Sequence, residues 1–293
     1  MSTFFQMVFG GLETGSMFAL ATLGIIIIFR TSKATNFAQG VIGMFNAFVA
    51  ASILISHDVS VWLATIIGML TAFVTGVLID LVIIRRANKV NILGKQIITF
   101  GLILILVGLA PVIFGSIPIR FPHFIHPAGA FEIFGARIMH NALLNILLGL
   151  SIMGVLFYFL QFTKWGLAVR VTASNEGTAK LMGVPTSLVT MGAWAVAAAL
   201  GTLSAVMVAP TGLGITPGLM ENVQVNALIA GVFGGFQTFH GPVIAAYIIA
   251  VSRNLLNFYV SDVWGEAILL LLILLFMVIR PNGLIGKKIV KKV

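Results

Sequence analysis

Nine runs of mostly apolar residues, separated by short polar breaks, occupy most of the chain. A helix crosses the hydrocarbon of a bilayer with about 20 apolar residues, and the runs are close to that length. They lack the alternation that the wall of a β-barrel requires. The pattern therefore predicts an all-α, polytopic transmembrane bundle with spans at residues 6–29, 37–56, 61–84, 96–115, 141–162, 188–209, 223–239, 242–260 and 264–280.

The seventh run is short, and it contains Gly231, Gly234 and Gly235. If it merely re-entered the membrane, the basic tail would lie outside unless a further segment also failed to cross. An eight-span arrangement with a re-entrant first segment stays open beside the nine-span one.

Composition excludes a soluble fold. The 293 residues are 59% hydrophobic and 9% charged, against roughly 25% charged residues in a soluble domain. We therefore expect one transmembrane domain over 1–293, surrounded by lipid. Soluble enzymes and nucleic-acid-binding proteins are disfavoured, despite a net charge of +9. The chain has no cysteine, which excludes disulfides and thiolate chemistry.

The basic residues indicate the orientation, because cytoplasmic loops of membrane proteins are enriched in Lys and Arg. With the N-terminus outside and the C-terminus in the cytoplasm, the outer loops hold Arg120 and Arg137, and Arg253 lies within a span. The other fourteen are inner: Arg30, Lys33, Arg85, Arg86, Lys89, Lys95, Lys164, Arg170, Lys180, Arg280, Lys287, Lys288, Lys291 and Lys292. The start of the chain has no basic region before its apolar run, so it is interpreted as a span.

The outer loop, residues 116–140, contains AFEIFGARIM, in which a glycine separates two partly alternating runs. This predicts a small β-hairpin, either as a plug over helix ends or as a docking surface for an external partner. His123 and His126 are three residues apart, but no third ligand is in view. They are interpreted as surface residues, and no metal site is predicted.

The inner segment, residues 163–187, predicts a short helix lying against the membrane. Ser174 or Asn175 can cap its start, and Glu176 lies in its first turn. Gly183 can end it, and Pro185 prevents its continuation. Ala179 and Met182 are expected to form a small apolar face, flanked by Arg170 and Lys180. The segment is either a contact for a cytoplasmic partner or an ordinary connection between spans.

Ionisable residues within a bilayer are costly, so they are candidates for function. Asp80 lies within reach of either Arg85 or the inner headgroup layer, and Glu266 lies near the outer end of the last span. Glu13 and Arg253 both fall in the outer half of the membrane, where they are expected to pair across the bundle. Such a pair is either a fastener between helices or a contact with substrate.

Gln39 and Asn46 are seven residues apart, on one face of the second span. They either line an internal cavity or join helices through hydrogen bonds. Gly10, Gly11, Gly15 and Gly24 permit either close helix packing or an interruption of the first helix near Glu13, as in the broken helices of many transporters.

No G-x-x-x-x-G-K-[ST] phosphate loop is present, so ATP hydrolysis by that route is not expected in this chain. Serine, histidine and aspartate are not arranged for nucleophilic catalysis, and no metal-ligand cluster is evident. The sequence therefore predicts a transport subunit that is not an enzyme and draws its energy from elsewhere.

Four stretches stand out along the chain: GLETGSMFALATLGIIIIFRTSKATNFAQGVIGMFNAF (11–48), WGLAVRVTASNEGTAKLMGV (165–184), ALIAGVFGGFQTFHGPVIAAYI and RPNGLIGK. Through them most of the chain resembles one family, the membrane subunits of ABC importers for branched-chain and other hydrophobic amino acids. The second of these stretches is similar to the family's cytoplasmic coupling segment.

The resemblance implies a mechanism. Two homologous permease subunits form the path in a bacterial or archaeal inner membrane, and an external binding protein delivers the solute. Two cytoplasmic ATPase subunits bind ATP with magnesium, so this chain needs no cofactor of its own. The residues implied in coupling are Arg170, Asn175, Glu176, Ala179, Leu181, Met182 and Gly183. The candidate residues of the substrate path are Glu13, Asn36, Gln39, Asn46 and Arg253.

Two positions depart from the family pattern. Phe18 stands where the family often has tyrosine, and Gln39 where it often has histidine. Contacts made by those hydroxyl or imidazole groups would be missing here. The family also includes importers resembling those for urea and short amides. The rival classes are an ion-gradient secondary carrier, an aquaporin-like channel and a membrane scaffold without transport.

Overall fold

The computed structural model describes residues 2–87, 90–125, 129–133 and 135–285. His126 and the end of the basic tail lie outside the described residues. The described elements are the helices α1 Ser2–Ser32, α2 Gln39–His57, α3 Val61–Ile79, α4 Ile92–Phe114, α5 His140–Phe162, α6 Lys164–Ser174, α7 Glu176–Leu181, α8 Thr186–Val208, α9 Glu221–Gly234, α10 His240–Tyr259 and α11 Gly265–Ile279, with the strands β1 Ala130–Ile133 and β2 Ala136–Met139. A π-helical turn, Asp80–Ile84, follows α3, and a 3-10 turn, Ala209–Thr211, follows α8.

Seven of the described helices are long and apolar enough to cross a membrane: α1, α2, α3 with its π-helical turn, α4, α5, α8 with its 3-10 turn, and α10. Helices α9 and α11 occupy the seventh and ninth predicted spans, but they have 14 and 15 residues. At 1.5 Å per residue they are about 21 and 23 Å long, whereas the hydrocarbon is about 30 Å thick. The structure confirms a multi-pass helical bundle and leaves the count of eight or nine spans unconfirmed.

Helix α1 forms the centre of the bundle. Its residues from Gly15 to Ile28 are buried, between α10, α8, α9 and α5. A helix that is enclosed on all sides is apolar all round, as the stretch from Phe18 to Ile28 is apart from Thr22, whose hydroxyl donates a hydrogen bond to Phe18 O of the same helix. Helices α4, α5 and α11 instead expose large apolar side chains, such as Leu104, Val155 and Val278, as expected of surfaces that face lipid.

Helix α1 continues unbroken past Glu13, so the interruption considered there is wrong. The glycines serve close packing instead. A Cβ at Gly11 would stand 2.6 Å from Val251 Cα, and a Cβ at Gly15 would stand 2.6 Å from Tyr247 Cδ1. Small residues at these positions let the backbones of α1 and α10 approach closely.

The predicted hairpin is confirmed. Strands β1 and β2 pair antiparallel, with Phe131 opposite Ile138 and Glu132 opposite Arg137. Gly135 in the turn has φ +75°, in the left-handed region that favours glycine. Strand β2 contacts α1 and α5. We call this end of the bundle the hairpin end, and the opposite one the α7 end.

Candidate coupling helix and polar sites in the bundle

The predicted short helix forms, as α7. Asn175 caps it, because its Oδ1 accepts a hydrogen bond from Thr178 N at 3.0 Å. Glu176 and Lys180, one turn apart, form a 2.7 Å ion pair on its surface. Of the two caps considered in the sequence, Asn175 is therefore the one that acts.

Helix α7 ends in a Schellman motif, which satisfies its last carbonyl groups. Val184 N donates to Ala179 O, and Gly183 N donates to Lys180 O, at 3.0 and 3.1 Å. Gly183 has φ +79°, which a residue with a Cβ adopts only with strain. Asn175 and Gly183 thus fix the length of α7.

The exposed apolar face of α7 differs from the one expected. Ala179 is fully buried and points into the chain, so the prediction that it forms this face with Met182 is wrong. The exposed pair is Leu181 and Met182, whose exposed fractions are 90% and 70%. Ala179 packs inward because it lies on the side of α7 that faces α6 and α8, the helices that α7 contacts.

Helix α6, which precedes α7, was not predicted. Thr163 caps it by accepting a hydrogen bond from Gly166 N at 3.0 Å. Arg170 turns back onto the end of α5, where its guanidinium donates to Gln161 Oε1 and Gln161 O at 3.2 and 3.1 Å. Arg170 therefore holds α6 in place. The capping pattern at Thr163 was the signal that could have revealed this helix.

Lys33 connects the end of α1 to α6, because its Nζ donates a hydrogen bond to the carbonyl oxygen of Ala173. Burial lowers the pKa of Lys33, and the nearby positive charge of Arg30 lowers it further. Lys33 has φ +57°, which places the chain in a turn directly after α1. This contact connects the central helix to the segment that carries α7.

A cavity of about 410 Å³ lies beside α7. Its wall includes Glu176 and Lys180 from α7, Lys95 from α4, Asp80 at the start of the π-helical turn and Arg85 just after it. Arg85 and Asp80 form a 3.5 Å ion pair, as their spacing predicted. The cavity separates α7 from the ends of α3 and α4.

Polar groups of the stretch NFAQG, residues 36–40, form hydrogen bonds between helices. Gln39 Nε2 donates to Ala197 O of α8 at 2.6 Å, and Asn36 Nδ2 donates to Gln39 Oε1 at 3.3 Å. Gly40 N donates to Gln224 Oε1 of α9 at 2.5 Å. These groups are buried, and their contacts connect α2 to α8 and α9.

Asn46 makes similar contacts. Its Nδ2 donates to Ile42 O at 2.9 Å, and its Oδ1 accepts from Thr75 Oγ1 of α3 at 3.3 Å. Asn46, Asn36 and Gln39 thus have partners within the bundle, as expected of residues that join helices. Their role in a substrate path stays a prediction.

Glu13 and Arg253 do not pair, so that prediction is wrong. Glu13 Oε1 accepts a 2.7 Å hydrogen bond from Asn145 Nδ2 of α5, whereas Arg253 forms an ion pair with Glu266 of α11. The reason lies in helix geometry.

Gly11 and Gly15 face Val251 and Tyr247 of α10. Because successive residues turn by about 100°, Glu13 lies on the opposite side of α1. Arg253 is likewise two residues past Val251 and points away from α1. The glycine pattern could have indicated that the two charged residues face different neighbours.

Comparison with known proteins identifies the family. The family model described as "Branched-chain amino acid transport system / permease component" matches residues 7–278. The high-affinity branched-chain amino acid transport system permease protein LivH of Salmonella typhimurium is 25% identical over 99% of this chain and 98% of its own length. The probable branched-chain amino acid transport permease protein LivH of Methanocaldococcus jannaschii is 25% identical over 94% and 91%.

A third relative is the high-affinity branched-chain amino acid transport system permease protein BraD of Pseudomonas aeruginosa, which is 24% identical over 99% of this chain and 98% of its own length. No solved structure matches the chain. Since the family model covers most of the sequence, from the first helix to the last, the chain belongs to the family of permease components of branched-chain amino acid transport systems.

Proposed function

We propose that this chain forms half of the translocation path of an ATP-driven importer for branched-chain or other hydrophobic amino acids. A homologous permease subunit supplies the other half, an external binding protein delivers the solute, and two cytoplasmic ATPase subunits bind ATP with magnesium. The match of the permease family over residues 7–278 carries this proposal. The names of the relatives support branched-chain amino acids as the solute.

In this proposal the chain spans a bacterial or archaeal inner membrane nine times, with its N-terminus outside and its C-terminus in the cytoplasm. The count of nine includes α9 as a crossing helix, and contacts between the end of α9 and the end of α1 support this. The ring of Phe236, just beyond α9, packs against the ring of Phe29 near the end of α1, with the centroids 4.6 Å apart and the ring planes tilted by 52°. Arg30 lies 4.3 Å from the centroid of the Phe239 ring. The α7 end is then cytoplasmic, and the hairpin end faces the exterior.

The α7 region supports a role as the contact with an ATPase. A helix of six residues is too short to be stable in water by itself, yet this one is capped at both ends and presents Leu181 and Met182 outward. Those two side chains would contact the ATPase. Asn175, Glu176 and Gly183 would fix the helix, Ala179 would seat it, and Arg170 would hold its base. Movement of the ATPase would then bias the bundle between outward and inward openings.

The assembled importer, reconstituted in vesicles that contain ATP, tests the proposal. Leucine uptake should require ATP and the binding protein, and it should persist after ionophores collapse the ion gradients. Uptake that stops with the gradients, and that does not need ATP, would instead identify a secondary carrier.

A further inference from the structure

A second cavity of about 410 Å³ opens at the hairpin end. It lies between α1, β2, the start of α5 and the 3-10 turn after α8. Its volume falls within the roughly 300–1,000 Å³ of small-molecule sites. Three ionisable side chains line it, Glu13, His123 and Arg137, although the cavity belongs to a very apolar chain.

The acidic and basic groups of this cavity are not paired with each other. Glu13 accepts its hydrogen bond from Asn145. Arg137 has no ion-pair or hydrogen-bond partner in the described part of the chain, and it stands opposite Glu132 in the hairpin. A carboxylate and a guanidinium thus line one cavity without forming an ion pair with each other.

Two further polar atoms around Glu13 lack partners. His123 Nδ1 and Asn145 Oδ1 are buried and make no hydrogen bond in the described structure. An unsatisfied buried polar atom is costly, and such an atom calls for an explanation. His123 also lines the cavity, so a ligand that occupies the cavity would lie next to this imidazole.

The rest of the wall is partly apolar. Phe9, Ile138, Met139 and Ala142 contribute hydrophobic surface next to the charged groups. This combination of opposite charges and an apolar wall suits a small zwitterion that carries an aliphatic side chain. It suits a neutral amide less well, because a neutral amide would leave both charges without a counter-charge.

The geometry points to a binding site for the free α-amino acid at the hairpin end, formed by this chain alone. The α-ammonium would bind Glu13, the α-carboxylate would bind Arg137 with His123 as a second donor, and the aliphatic side chain would lie against Phe9 and Ile138. The site rests on the proposed function, in which this end receives solute from the binding protein. It would hold the amino acid between its release from that protein and its passage through the bundle.

Equilibrium binding of radiolabelled L-leucine to the purified importer in nanodiscs, without the binding protein, tests the site. The variants Glu13→Gln and Arg137→Gln should each weaken binding about tenfold or more, because charge-assisted hydrogen bonds are the strong ones. Glu132→Gln is the matched control, because it removes a charge from the same hairpin without touching the cavity, and it should leave binding unchanged.

Two analogues test the recognition of each charge. 4-Methylpentanoate lacks the ammonium and 3-methylbutylamine lacks the carboxylate, so the wild type should bind each of them at least tenfold more weakly than leucine. The Glu13→Gln variant should bind leucine and 4-methylpentanoate about equally, and Arg137→Gln should bind leucine and 3-methylbutylamine about equally. Arg137 is exposed on a strand, so its replacement leaves the fold intact and keeps the test valid should Glu13→Gln fail to fold.

Unchanged leucine binding in both variants, or no leucine binding by the wild type, would overturn the site. Leucine uptake by the wild-type importer with its binding protein separates this result from a failure of the proposed function. If the wild type imports leucine while the variants bind as the wild type does, the site alone is wrong. If the wild type imports no leucine, the proposed function is wrong.

Discussion

Asn145 of α5 donates a 2.7 Å hydrogen bond to the carboxylate of Glu13 in α1. This bond joins the two helices inside the bundle. Asn145 is fully buried, so no water replaces its amide. The bond therefore does two things: it satisfies one carboxylate oxygen of Glu13, and it sets the direction in which the carboxylate points.

We expect Asn145→Leu to destabilise the protein by about 1–3 kcal/mol, because it leaves the Glu13 carboxylate without its buried donor. The double variant Glu13→Leu/Asn145→Leu should lose less stability than the sum of the two single variants, since it removes both polar groups. Thermal unfolding of the purified protein in detergent measures each change. Strict additivity would show that the bond does not couple the two helices.

The ion pair of Arg253 with Glu266 predicts a charge-swap result. Arg253 is 18% exposed and Glu266 is 52% exposed in their side chains, so solvent weakens the pair, and a coupling of about 0.5–1 kcal/mol is expected. The swapped variant Arg253→Glu/Glu266→Arg should unfold at a higher temperature than either single variant. The swap Glu13→Arg/Arg253→Glu serves as the control and should show no rescue, because those residues face different helices.

The packing of α1 on α10 predicts a strong position dependence for glycine substitutions. Gly11→Ala would place a Cβ against the backbone of Val251, and we expect a loss of about 1–3 kcal/mol from overpacking. Gly101→Ala in α4 is the matched control, because no atom beyond its own turn of helix lies within 4 Å of its Cβ position. That control should be neutral or slightly stabilising, since alanine favours a helix over glycine. Equal melting temperatures for the two variants would contradict close packing at Gly11.

Local signals in the sequence predict the local structures well, and they do so for physical reasons. The hairpin follows from a glycine that adopts positive φ at position 135, and α7 follows from a capping Asn175 and a terminating Gly183. Each of these features depends on residues that are neighbours in the chain. The same holds for Asp80 and Arg85, which are five residues apart and form an ion pair.

Contacts between distant helices are less accessible to sequence reasoning. The partner of Glu13 depends on which face of α1 packs against which helix, and apolarity on all sides hides that face. The inward position of Ala179 similarly depends on where α6 and α8 lie. A membrane helix that is fully enclosed carries little periodic signal, so only special residues such as Gly11 and Gly15 show its contact faces.

The exposed pair on α7 allows a test of coupling that leaves the fold intact. Leu181 and Met182 lie on the surface, so Leu181→Ser/Met182→Ser should not change the melting temperature of the permease. Loss of their apolar contact should weaken binding of the ATPase subunits at least tenfold, measured by copurification and by titration in nanodiscs. Leu213→Ser is the matched control, because Leu213 is 83% exposed but lies at the hairpin end. ATPase binding that is unchanged in the double variant, or equally weakened in the control, would show that α7 is not the contact.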